Sequence, residues 1–491
     1  MTKLTLANLP EIAKKISVPM YNRAQLKPGI LHFGIGNFHR AHLAVYLDNL
    51  FNKGLNHDWA IIGAGVMAFD EAMRQKLVAQ DFLTTVVEQD NEVSSAHITG
   101  SMIDFIPPSD KAALLAWLVN PAIRIVSMTI TEGGYFIDPA TQKFDPEHPA
   151  IVRDGAHPHD PATVFGFIVA GLKTRKEKNI PPFTVMSCDN VPHNGVVTRH
   201  AVVGLARLSD PALAEWIENN VAFPNAMVDR ITPATGDRER ALCAEEFGVE
   251  DQWPVFCEEF KQWVVEDHFP LGRPEWEKVG AEFVKDVTPW EYMKIRILNG
   301  GHAVIAYIGG LLDIHFVHDA MTNPLIKAYL KKVTDEEIRP TVHPVPGTNL
   351  VDYQTLIDRR FSNPKVGDTI RRLCLDGSNR QPKFIVPPIA DRLKANQSID
   401  GLALESALWC RYCFGTTDSG AVIEPNDPNW DALRARAKLA KDNPQVWLEM
   451  ADIYGDVGKH PEMQKRFSYY LNALWKDGAA ATVKSYLDAP I

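Results

Sequence analysis

Gly29-Ile-Leu-His-Phe-Gly-Ile-Gly-Asn-Phe-His-Arg-Ala-His42 decides the architecture of the N-terminal half. Its apolar start, Gly29 to Phe33, reads as a buried strand; two glycines follow, then helical spacing from Ala41 to Phe51. The same order recurs at once. Trp59-Ala-Ile-Ile62 is a second apolar strand, Gly63-Ala-Gly65 a second glycine pair, and a helix runs on through about Gln80. Phe82 to Glu88, Ile123 to Ile130 and Pro182 to Ser187 are further β-rich runs. Strands alternating with helices predict a parallel sheet covered on both faces, the architecture of nucleotide-binding folds.

Beyond about Val287 the spacing turns helical, in Met293 to Ile308, Leu325 to Val333, Ala403 to Cys413 and Met463 to Trp475. The Pro/Gly-rich His343-Pro-Val-Pro-Gly-Thr348 interrupts this region. The fold expected is therefore α/β: a Rossmann-type parallel-sheet domain over residues 1–285, then a mainly α-helical substrate-binding domain over 286–491. A cleft between such domains is a natural place for two substrates to meet. No fixed-period repeat is visible.

Composition narrows the function classes. The 491 residues are 45% hydrophobic and 23% charged, with a net charge of −10. An acidic chain of this kind does not offer the clustered cations that phosphate backbones require, so no nucleic-acid partner is expected. No apolar stretch approaches the ~20 residues of a membrane span, and the N-terminus lacks a secretory apolar core. Six scattered cysteines suit reduced thiols, and a cytoplasmic location follows as the expectation. Cys410 and Cys413 form a CxxC without a second pair nearby, which reads as two buried thiols in an apolar helix and no metal site. With no heptad or exposed apolar repeat, a monomer or weak homo-oligomer is expected.

At the cofactor end, Gly34-Ile-Gly36 matches two of the three glycines of a dinucleotide fingerprint, and His39 stands at the third position. The first glycines permit the tight turn and the approach of a pyrophosphate to a helix start. As a bare pattern, either glycine pair also fits a βα turn that binds nothing. Asp70 is the acidic candidate for the adenosine ribose; its plain alternative is a helix N-terminal acid that serves the dipole.

At the catalytic end, Met293-Lys-Ile-Arg-Ile-Leu-Asn-Gly-Gly-His302 is apolar enough to be a buried helix. At roughly 100° per residue, Asn299 lies roughly 140° and His302 roughly 80° around from Lys294, on one face. Burying these three together is costly unless they find partners, and a buried lysine is depressed toward a general base. The alternative is a solvated lysine beside a core histidine. Asn190, in Ser187-Cys-Asp-Asn190 beyond a strand end, is placed to polarise a carbonyl or simply to cap a turn. Asp229 and Arg230 lie inside the apolar run Asn225 to Pro233 and suggest a paired charge, structural or substrate-facing. The Tyr-x-x-x-Lys pairing of short-chain dehydrogenases, HExxH and GxSxG are all absent.

Taken together, His32 to His42, Thr129-Ile-Thr-Glu-Gly-Gly-Tyr135, Ser187 to Asn190, Pro224 to Pro233, the KxxxxNxxH pattern from Lys294 to His302, Asp376-Gly-Ser378 and Pro382-Lys-Phe384 resemble the polyol-specific long-chain dehydrogenase/reductase family, the mannitol dehydrogenase family. The resemblance covers nearly the whole chain. It implies a zinc-independent, NAD-dependent oxidoreductase interconverting a polyol and a ketose, D-mannitol and D-fructose foremost. Lys294 would be the base, Asn190 and Asn299 the oxygen-holding amides, and His302, Asp229 and Arg372 the substrate-orienting groups. Gly34, Gly36, Phe38, His39, Arg40 and Asp70 would serve NAD. Arg380 stands where family members carry a lysine, a departure that touches substrate preference, because a guanidinium fork is not an ammonium. Phe69 before Asp70 reduces an acidic pair to one. Fructuronate or tagaturonate reduction, and arabinitol or sorbitol oxidation, are the sister activities, with Arg372 and Arg380 as a carboxylate clamp in the uronate case. Loss of Lys294 or Asn190 would have pointed to a silent nucleotide or sugar sensor; both are present.

Overall fold

Strand β1 (Pro28–Phe33) is the central strand of a five-stranded parallel sheet in the computed structural model, which describes residues 1–138 and 143–489. The other strands are β2 (Ala60–Ala64), β3 (Met102–Phe105), β4 (Ile125–Met128) and β5 (Thr184–Ser187), in spatial order β3-β2-β1-β4-β5. Every pairing is parallel: Leu31 lies opposite Ile62 on one side and Val126 on the other. The order reverses beside β1, between it and β4, which is where open α/β sheets hold their ligands.

Period-2 alternation buries both faces of this sheet. Leu31, Phe33, Val126, Met128 and Val185 enter one core, while Ile30, Ile125 and Met186 enter the other. Helices α1 (Asn37–Ala41) and α2 (Leu43–Asn52) follow β1, separated by the non-helical backbone of His42. Leu43, Leu47 and Leu50 of α2 cover the second face together with Trp263 and Trp276. Next along the chain come α3 (Ala68–Val78), α4 (Lys111–Val119), α5 (Val164–Glu177) and α6 (Asn194–Ser209). The last three supply Leu118, Phe165, Leu172, Ala201 and Leu205 to the first face. Each such leucine contributes about 1.5–3 kcal/mol by its burial.

Two expectations change here. Phe82 to Glu88 does form a strand (Thr84–Gln89), but it joins a separate sheet with Val255–Glu258 and Ser94–Thr99. Strand β3, in contrast, was not among the runs read from the sequence. A further three-stranded sheet combines Glu282–Val284, Gln262–Glu266 and Ala226–Asp229.

The chain divides into one unit over Met1–Thr288 and a second over Pro289–Ile491. The second is built from helices, among them α7 (Gly300–Leu311), α8 (Asp400–Cys413) and α9 (Pro461–Asp477). Every residue of α8 after Asp400 is buried, so this helix is the axis of the unit. Cys410 and Cys413 lie in it, and all six cysteines of the chain are free and buried. Among the described residues no helix is long and apolar enough to cross a membrane.

Candidate active site

The end of β1 requires glycine at one position in particular. Gly34 has φ +88°, and a Cβ there would sit 2.0 Å from the Thr129 carbonyl oxygen, just past β4. The Thr129 hydroxyl donates to the Gly34 carbonyl at 2.7 Å, so the two strand-end turns are bonded to each other. Gly36 differs: it precedes α1, and a Cβ there would meet nothing within 4 Å.

Phe38 is half-buried and stacks on His42 (4.9 Å). His39 and Arg40 are buried beneath the turn. His39 stacks on His32 at 3.6 Å, and neither of its ring nitrogens has a hydrogen-bond partner. Burial, with His32, Arg40 and His42 adding to it, holds His39 well below the usual histidine pKa, hence neutral. Arg40 donates to the Trp253 carbonyl and to Asn37 Oδ1 (2.8 Å for the latter). The side chains of this pair therefore brace the turn from behind.

Asp70 lies at the start of α3. Its carboxylate accepts the Met67 amide at 2.9 Å and packs against Gly65, where a Cβ would lie 2.4 Å from Oδ2. Burial raises its pKa, against the lowering by the Met67 and Val66 amides. Asp70 thus occupies the helix N-terminal position weighed from the sequence, with Met67 and Phe69 exposed beside it.

Beyond β5, Asn190 is exposed while its neighbour Asp189 is buried. The Asp189 carboxylate accepts the amides of Ile130 (2.8 Å) and Thr131 (3.0 Å) and the Tyr135 hydroxyl (2.7 Å). Sequence reasoning misses Asp189; an acid placed directly after a buried strand is the signal that could have found it. Asp229 ends its strand in a buried position. Arg230 donates to Glu88, to the Glu258 carbonyl (3.0 Å) and to the Ala41 carbonyl (2.5 Å), a structural ion pair that ties three segments together.

In the second unit the predicted helix from Met293 to Ile308 is not uniform. Lys294–Asn299 is a π-helical turn, flanked by α-helix on both sides. Its hydrogen bonds run i→i+5, so each residue turns through less than the roughly 100° assumed for an α-helix. Such turns concentrate at functional sites. Lys294 and Asn299, at the two ends of the turn, are both buried. Arg296 pins the same turn, with one nitrogen on the Thr341 carbonyl and another on Asp391, both at 2.6 Å.

His302 follows on α7. Its ring stacks on Phe361 at 4.2 Å, and its Nε2 is buried without a hydrogen-bond partner. Burial first, then the cations Arg372, Arg360 and Arg380, hold it well below the usual histidine pKa. Within this unit the charges of Arg372 and Arg380 are thus felt at His302, as is that of Arg360, which the sequence did not single out. Arg372 forms a two-pronged pair with Asp368. Burial works against the charge of Arg372, but Asp368 outweighs it and holds the pKa above the ordinary guanidinium value. Arg380 donates to the carbonyls of Leu373 (3.1 Å) and Arg372 (3.3 Å). Its helix, Gly377–Phe384, is anchored by the buried Gln381, which donates to Glu405 of α8 at 2.6 Å.

A dinucleotide-type sheet with a glycine turn, followed by a helical unit carrying a buried lysine and asparagine and a half-buried histidine, defines a class of two-part dehydrogenase-like proteins. Residues 28–278 match the model of the mannitol dehydrogenase Rossmann domain and residues 286–475 that of the mannitol dehydrogenase C-terminal domain, and the chain belongs to the mannitol dehydrogenase family. It is 58% identical over 479 residues to a mannitol 2-dehydrogenase of Cereibacter sphaeroides, covering 97% of this chain and all of that one. A mannitol 2-dehydrogenase of Neosartorya fischeri is 41% identical, with 99% of each chain covered. Among solved structures, the ternary complex of Pseudomonas fluorescens mannitol 2-dehydrogenase with NAD and D-mannitol superposes with a TM-score of 0.90 at 42% identity, covering 99% of this chain and 100% of that one. A substrate-free D-sorbitol dehydrogenase gives 0.89 at 35%, covering 98% and 100%.

Proposed function

We propose that this chain is an NAD-dependent oxidoreductase that interconverts D-mannitol and D-fructose, with Lys294 as general base. The observation that carries the reading is the π-helical turn that buries Lys294 and Asn299 one turn ahead of His302, in a chain whose relatives are mannitol 2-dehydrogenases. The glycine turn fits a dinucleotide: the open space at Gly36 leaves the backbone approachable at the start of α1, where a pyrophosphate finds amide donors. NAD held at this turn would supply the acceptor for the hydride from C2.

The residues of the chain do the rest. Lys294 accepts the C2 hydroxyl proton during oxidation and returns it during reduction. Asn190 and Asn299 hold the oxygen as it becomes a carbonyl or an alkoxide. Asp229 and the neutral His302 orient hydroxyls, and Arg372 and Arg380 direct donors at them. The pairing of Arg372 with Asp368 favours a neutral polyol over a uronate, because a carboxylate arriving there would meet an anion already in place. The test is NADH oxidation by purified protein with a chelator present, offered D-fructose and D-fructuronate side by side. Faster turnover of fructose at lower concentration supports the reading. Preference for fructuronate would reassign the substrate, and silence with both would overturn it.

A further inference from the structure

The turn that follows β4 contains a backbone conformation that its sequence does not favour. Thr131 has φ +62° and ψ +165°, a region essentially reserved for glycine and especially adverse to a β-branched side chain. Phe136, five residues on, also has a positive φ of 52°. Nothing local explains a threonine there. The compensation comes from β5: Asp189, 9% exposed, accepts the amides on both sides of the peptide that enters the turn and the Tyr135 hydroxyl that closes it. Tyr135 is fully buried and shares its hydroxyl with Ser187 Oγ at 2.5 Å. Between them Glu132 and Gly133 stay exposed and Gly134 is half-buried.

This turn is also fixed to the glycine turn. His32 on β1 pairs with Ser127 (2.7 Å) and with Thr129 Oγ1 (3.0 Å), and Thr129 donates in turn to Gly34. Asp189 thus ties the end of β5 to the turn after β4, and Thr129 ties that same turn to the end of β1, at the reversal of strand order. A backbone held out of its preferred region by a buried acid, at the ligand-holding edge of the sheet, is an organised feature rather than a loose loop.

We propose that Asp189 is a positioning residue for the cofactor: by holding Thr131 in its glycine-like conformation it fixes the turn Thr131–Tyr135 against Gly34, and so keeps the nicotinamide end of the site in shape. The inference rests on the dinucleotide reading above and extends it to a residue outside the lysine, asparagine and histidine set. Asp189 itself contacts protein groups; its effect passes through the turn.

The test measures NADH binding by tryptophan fluorescence, thermal melting, and KM and kcat with D-fructose, for wild type, Asp189→Asn, Thr131→Gly and the double variant. An asparagine cannot accept both amides and the phenol without turning its own donor toward one of them. Asp189→Asn is expected to weaken NADH binding by about tenfold and to raise the KM for NADH with a smaller fall in kcat. Thr131→Gly removes the conformational penalty, so the double variant should recover about threefold or more of the NADH binding lost in Asp189→Asn. Tyr135→Phe, which keeps the ring and two of the three Asp189 bonds, should show a weaker loss of the same kind and serves if Asp189→Asn does not fold. Folded Asp189→Asn that binds NADH within twofold of wild type would overturn the proposal. So would a double variant with no recovery. Wild-type protein that bound no NADH would overturn the dinucleotide reading itself, and the proposal with it.

Discussion

The glycine turn of the first unit and the π-helical turn of the second prepare for chemistry in opposite ways. At Gly34 the demand falls on the backbone, through a positive φ and a carbonyl oxygen 2.0 Å from where a Cβ would stand. At Lys294–Asn299 the demand falls on side chains: polar groups are kept buried on a helix whose bond pattern is widened to carry them. The first kind of site excludes every residue but glycine whatever the ligand. The second could be rewritten with apolar residues and still fold, because the burial of its polar groups costs stability that only a function repays. Substitutions at the two turns should therefore fail differently.

The largest effect is expected at Lys294→Ala. Turnover should fall by about 10²–10⁴-fold with little loss of melting temperature, and the rise of polyol oxidation with pH should vanish. Steady-state rates across a pH series check this; near-normal turnover would remove Lys294 from the mechanism. Gly34→Ala should do the reverse, destabilising the fold by ~2–4 kcal/mol through a forced backbone and a carbonyl clash, as read by denaturant unfolding. Gly36→Ala sharpens the contrast within a single turn. Its Cβ points into open space, so unfolding should change by less than about 0.5 kcal/mol while NADH binding weakens by about tenfold. If Gly36→Ala bound NADH normally, the open space would have no role in the cofactor site.

A separate effect concerns pH and stability in the second unit. Burial pushes the Glu405 carboxyl up to about 8, only partly opposed by Gln381. The folded state then holds a proton that the unfolded state releases near the ordinary glutamate value, so stability is complete below about 4.5 and falls as pH rises toward 8. The slope contributed is at most about 1.4 kcal/mol per pH unit, and Glu405→Gln should flatten it in melting curves taken from pH 5 to 8.5.

Much of the first unit was legible because its strands announce themselves. Ile30, Leu31 and Phe33, then Ile61 and Ile62, are apolar runs ended by glycine, and the sheet follows from their alternation with helices. The four-residue β3, with Asp104 in its middle, carries no comparable signal. Nor does Thr84–Gln89 declare its neighbours: hydrophobicity marks a strand but does not say which sheet will take it. In the second unit, π and α turns share nearly the same apolar spacing, so the widening at Lys294 was invisible, and the role of the trio rested on resemblance. Thr131 is the clearest limit. A threonine in a glycine conformation is held there by Asp189, 58 residues away, and no local rule reaches that far.

The six buried thiols give the molecule a built-in clock for its own opening. Burial lifts each of Cys188, Cys243, Cys257, Cys374, Cys410 and Cys413 above the ordinary thiol pKa, which silences them toward alkylating reagents while the chain is folded. Labelling must then wait for local or global unfolding, and its rate at each position reports how often that part of the chain comes apart. Cys188 would time the sheet edge beside Asp189, and Cys410 the axis of the helical unit, in one sample and without an engineered cysteine.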